Sequence, residues 1–135
     1  MKKNEVDEFE KIVAQVHGLY EELSILSKKS PNDAVNKFKL GFVNSLLDAS
    51  NTFLGVRYVP FPDFSRFDVD VVPQNSDVVF ILSQYLGCFE KFRSDNVVRR
   101  GGGMWYWKVK PEKGDVPSDD GWVYVSTVKP KGLRD

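Results

Sequence analysis

The chain has 135 residues, 41% of them hydrophobic and 13% aromatic, and its 19 Lys and Arg are balanced by 19 Asp and Glu. That length suits one domain with a real core, and a formal net charge of zero argues against strong nonspecific binding to nucleic acid or anionic membrane. The single cysteine, Cys88, leaves no intramolecular disulfide and no cysteine-based metal site. The charge is unevenly spread: residues 1–90 hold 9 basic and 13 acidic residues, a net of −4, and 91–135 hold 10 basic and 6 acidic, a net of +4. Such a split suits self-association or a polarised binding surface.

The N-terminal residues are charged and carry no apolar run of a signal peptide. No stretch approaches the roughly 18 apolar residues that span a membrane. The expectation is a cytoplasmic chain of one domain, 1–135, mainly helical over 5–98. A loop or strand excursion at 56–75 interrupts the helical part, a β-hairpin occupies 104–128 and a tail follows at 129–135.

Residues 5–28 place Val6, Phe9, Val13, Val16, Tyr20, Leu23 and Leu26 three or four apart, one stripe on a helix. Acidic residues crowd its first turns and Lys28 and Lys29 close it, as the helix dipole favours. Positions 6, 9, 13, 16, 20 and 23 also come close to a heptad, the spacing of a coiled-coil seam. Ser30-Pro31 then reads as an N-cap and first helical residue, with Asp33 completing an acidic capping box. A second helix follows through Val35, Phe38, Phe42, Val43, Leu46, Leu47, Phe53 and Leu54 to a stop at Gly55. So short a link makes the two helices an antiparallel hairpin.

Pro60 and Pro62 break the helical pattern, and from Arg66 the chain alternates: Phe67, Val69 and Val71 against Asp68 and Asp70. That is the pattern of a half-buried strand. Asn75 or Ser76 caps a third helix running to about Asp95, apolar almost all round in its first three turns and so the most buried. Arg99-Arg100-Gly101-Gly102-Gly103 reads as a flexible hinge. Two runs rich in aromatic and β-branched residues follow, 104–109 and 122–128, joined by a long loop containing Pro111, Gly114, Pro117 and Gly121. The fold expected is α+β: a helical hairpin and a third buried helix packed on a small antiparallel sheet, formed mainly by the C-terminal hairpin.

Candidate chemistry is sparse. His17 is the only histidine, so one chain cannot supply a multi-histidine metal site. Cys88 lies in the most apolar helix and reads as a small hydrophobe. Asp68 and Asp70 share a face if 66–72 is a strand, and such a pair can hold a divalent cation; alternating Asp and Val equally describes any strand with one wet face. The Arg-Gly run lacks the Lys-Ser/Thr pair of a phosphate-binding loop.

The aromatic hairpin stands out. Trp105 and Trp107 share one face of their strand with Tyr106 opposite, and Trp122 and Tyr124 share a face of the next. One face packs on helices; an open one would be a contact platform flanked by Arg99, Arg100, Lys108 and Lys110. The function expected is a non-enzymatic protein-interaction module, self-associating as a homodimer. Its contact aromatics would be Trp105, Trp107, Trp122 and Tyr124, and its flanking cations Arg99 and Arg100. A small-ligand or nucleic-acid binder using the same hairpin is the alternative, with nucleic acid the less favoured partner. A metal-dependent enzyme on Asp68 and Asp70 is the third reading. No cofactor is expected.

Overall fold

A computed structural model describes residues 1–131, and the expected tail lies outside the described residues from 132 onward. In chain order the elements are α1 (Lys3–Lys29), α2 (Lys37–Tyr58), α3 (Asn75–Asn96), β1 (Val97–Arg100), β2 (Met104–Val109) and β3 (Val123–Thr127). The fold is α+β, with one antiparallel sheet in the order β1-β2-β3. Among the described residues no helix is long and apolar enough to cross a membrane. The chain forms two compact units: residues 11–89, and residues 1–10 together with 90–135.

The unit 11–89 is helical. Ile12, Val16 and Leu23 of α1, Leu40, Val43, Leu47 and Leu54 of α2, and Val78, Leu82, Tyr85 and Phe89 of α3 are buried. The helices α1 and α2 make the expected hairpin, with Lys39 near the start of α2 donating to Glu22 near the end of α1 at 2.7 Å.

The link between them is longer than Ser30-Pro31 implies. Asn36 caps α2, its side-chain oxygen accepting the N–H groups of Phe38 (2.9 Å) and Lys39 (3.2 Å). Residues 30–35 stay out of the helix because their backbone pairs with the approach to α3. Val35 donates to the Pro73 carbonyl, Asn75 to that of Asp33 and Ser76 to that of Pro31, while the Asn75 amide donates to the Ser30 carbonyl. Gly55, the expected stop, holds φ 66° and ψ 179° and breaks helical geometry within α2. Only glycine adopts such a conformation without strain.

The 66–72 segment is not a strand. Asp68 accepts the Asp70 N–H on its own side chain at 2.9 Å, and its carbonyl accepts the Val71 N–H. Local carboxylate-to-backbone bonds of this kind favour turns over ladders. A side chain serves where a neighbouring strand would. Buried Asn44 of α2 donates to the Phe67 carbonyl at 3.0 Å and accepts the Phe67 N–H at 2.9 Å. Asn51, one helical stretch on, donates to the Ser65 carbonyl at 2.8 Å and accepts from the Tyr85 hydroxyl.

The other unit holds the sheet. The expected hinge at 99–103 is instead a strand and its turn: Val97–Arg100 pairs with Met104–Trp107. Gly102 and Gly103, at φ 81° and 74°, supply the left-handed residues that close the turn. The expected hairpin is β2-β3, in register Trp105↔Thr127, Trp107↔Val125 and Val109↔Val123. Its inner face is covered by the first turns of α1 and the last of α3. Trp107 is fully buried, edge-on to Phe9 at 4.9 Å between ring centroids. Arg93 is 2% exposed. Its guanidinium lies over both rings, 2.7 Å from a Glu10 oxygen, and also donates to Thr127. Glu10 accepts from the Trp107 indole N–H at 3.2 Å and from the Thr127 hydroxyl at 3.1 Å.

Candidate functional site

Strand alternation divides the predicted aromatics between the two faces of the sheet. Trp107 is core, and half-buried Trp105 lies on the same inner side, across from Thr127. Arg99 is paired with Trp105 and shares that side, its guanidinium folded back toward Gly103. Of the three only Trp107 is fully buried; Trp105 is half-buried and Arg99 exposed. Burying the Trp107 ring is worth several kcal/mol at roughly 25 cal/mol per Å² of apolar surface, so its first duty is stability.

The outer face keeps the rest. By register and alternation it carries Arg100, Tyr106, Lys108, Trp122, Tyr124 and Ser126. Here cations and rings interlock: the Arg100 guanidinium lies 3.9 Å from the Tyr124 ring centroid, and the Lys108 ammonium 4.5 Å from that of Trp122. Tyr106 meets Tyr124 edge-on at 6.4 Å. Tyr106, Lys108, Trp122 and Tyr124 are half-buried and Arg100 is exposed. Exposed cation–ring pairs of this kind contribute about 0.5–1 kcal/mol each.

The residue that sequence reasoning missed is Asp120, in the loop before β3. One of its oxygens accepts the Trp122 N–H at 3.0 Å. The other accepts the Tyr124 hydroxyl and stands 3.9 Å from Arg100. The Tyr124 hydrogen bond, aided by the Trp122 N–H and the nearby cations, holds the Asp120 carboxyl below the usual carboxylate range. The same bond pushes the Tyr124 phenol above its ordinary value. Nothing in the local sequence marks Asp120 out from Asp119, because the pairing depends on how the loop closes. That closure uses Gly121 at φ 84° and a Ser118–Trp122 backbone bond.

The other candidates are dispersed. Asp68 and Asp70 are exposed in a turn, with the Asp68 carboxylate already bonded to backbone. Among the described residues no group of three or more His, Cys, Asp or Glu is placed to hold a metal ion. His17 is part-exposed, 3.6 Å from Glu21 one turn on. Cys88 is half-buried and burial pushes its thiol pKa up, the opposite of an activated nucleophile. The near-heptad stripe of α1 is largely spent inside the chain, with Val6, Phe9, Val16 and Leu23 all buried. No family model, curated protein or solved structure matches the chain.

Proposed function

We propose that the chain is a non-enzymatic protein-interaction module whose working surface is the outer face of the β1-β2-β3 sheet. The observation that carries this reading is the interlocked set of Arg100, Lys108, Tyr106, Trp122 and Tyr124 on that face. Aromatic rings and arginine are the residue types that dominate protein contact energetics. Both sides of the sheet carry rings, and of these only Trp107 is fully consumed by the core. A cytoplasmic setting belongs to the same reading, supported by the single cysteine.

The test is site-specific photocrosslinking. A benzophenone amino acid replaces Tyr106 on the sheet face or, as control, Val56, which is 98% exposed in the helical unit. In cells, crosslinks to a discrete protein should form from position 106 and not from 56. Equal yields from both positions would discard the reading.

Self-association into a homodimer is the second reading. What supports it is the edge-on pair Phe38 and Phe42 on α2, 75% and 54% exposed. Phe42 borders a groove lined by Gly18 and Leu19 of α1 and Leu46 and Ala49 of α2. Sedimentation equilibrium decides it: a dimer that Phe42→Ser converts to monomer supports the reading, and a monomeric wild type removes it.

A further inference from the structure

The outer sheet face already holds a ligand of sorts, one supplied by the chain itself. Asp120 offers a single carboxylate to three donors: the Trp122 backbone N–H, the Tyr124 hydroxyl and, at 3.9 Å, the Arg100 guanidinium. Lys108 adds its charge from the neighbouring strand. The seat therefore meets one carboxylate oxygen with a backbone N–H and the other with a hydroxyl donor and a nearby guanidinium charge, a set that suits a carboxylate. We propose that this face binds an acidic peptide segment through its carboxylates, and that Asp120 occupies the principal seat until such a segment displaces it.

Three further observations fit this occupant. Arg100 and Lys108 place two positive charges on this face against the rings of Tyr124 and Trp122, complementary to an acidic peptide. The Asp120 side chain is about half exposed, as is that of Arg100, so exchange of one carboxylate for another needs no opening of a core. The backbone around Asp120 is held by Ser118 to Trp122 and Gly121 to Ser118 bonds, so the carboxylate can leave by side-chain rotation while β3 stays paired. Nucleic acid fits less well. One face of each of the Tyr124 and Trp122 rings, where a base would stack, is taken by Arg100 and Lys108.

The inference rests on the sheet face being the contact surface, and its test separates the two ideas. Fluorescently labelled hexaglutamate is titrated into the wild type and into Asp120→Asn, which keeps a side-chain oxygen for the Trp122 N–H but removes the resident charge. Hexalysine and a single-stranded oligothymidine are the comparison probes. Asp120→Asn should bind hexaglutamate about tenfold more tightly than the wild type, roughly what one charge-assisted bond contributes. Adding Arg100→Gln should abolish the gain, with circular dichroism confirming that each variant is folded. Hexaglutamate binding that Asp120→Asn leaves unchanged, or a gain that survives Arg100→Gln, would overturn the proposal. Tighter binding of the oligothymidine alone would overturn it in favour of a nucleic-acid occupant. Crosslinks from position 106 that persist beside a flat hexaglutamate response would defeat the acidic-peptide inference and leave the protein-interaction reading standing.

Discussion

Arg93 shows how one residue can carry the unit around the sheet. Its charge is almost wholly buried, faced by Glu10 at 2.7 Å and Glu90 at 3.7 Å and packed against the rings of Phe9 and Trp107. Removing one partner of a buried ion pair strands the other and typically costs about 3–5 kcal/mol. Glu10 is 44% exposed and can take up water when its partner is lost, so Arg93→Ala should destabilise by less, about 2–3 kcal/mol in denaturant unfolding, with the lost packing against the two rings a large part of it. Asp120 and Tyr124 give a pH signature of a different kind. The lowered carboxyl of Asp120 contributes stability that is present above the usual carboxylate range, near about 3.9, and is lost as pH falls through its folded value. The raised phenol of Tyr124 contributes below its ordinary value of 10.0 and fades as pH climbs through the higher folded one. Tyrosinate absorbance should therefore show two phenols ionising late in the wild type, Tyr85 through burial and Tyr124 through its bond to Asp120, and Asp120→Asn should bring only the Tyr124 titration earlier. An unchanged titration would mean the Asp120–Tyr124 bond does not form in solution.

Among the elements, the 59–74 loop depends on α2 more than on itself. Asn44→Ala deletes both bonds to the Phe67 backbone and leaves that backbone pair without its partner. A loss of about 2–3 kcal/mol follows from two part-buried bonds, and limited proteolysis should then cut within 62–71 faster than in the wild type. Much at this scale was legible beforehand. The helices declared themselves by period, Gly55 by its position after Leu54, and β2 and β3 by Trp105-Tyr106-Trp107 and Val123-Tyr124-Val125. What misled was local chemistry whose outcome is settled by distant partners. Ser30-Pro31 looks like a cap, but its carbonyls are claimed by Asn75 and Ser76. Asp68 and Asp70 alternate like strand residues, yet no strand lies beside them, and Asp68 turns onto its own backbone. The glycines at 101–103 read as slack, whereas two of them make the tight turn that pairs β1 with β2. In the candidate site, alternation separated Tyr106 from the tryptophans correctly. Which side faced solvent was undecidable until Phe9 and Phe92 were seen against Trp107.

At the scale of the whole molecule, the two units draw on the chain differently. Residues 11–89 are continuous, while the sheet unit combines 1–10 with 90–135. Both α1 and α3 run through the division, with Val6 and Phe9 among the buried residues of one unit and Ile12 and Val16 among those of the other. Deleting residues 1–10 should consequently abolish the near-ultraviolet dichroism of Trp107, which loses Phe9 and Glu10. The helical far-ultraviolet signal of 11–89 should fall far less. Loss of both signals together would show that the units melt as one.

That discontinuity also sets a timetable. A ribosome makes Phe9 and Glu10 first among the groups that converge on Arg93 and Thr127 last, so the sheet unit cannot close until residue 127 has been synthesised. The stretch 11–89 has every residue it needs well before then. The nascent protein thus passes through a stage with the helices of 11–89 available for packing while Phe9 and Glu10 still wait for Trp107.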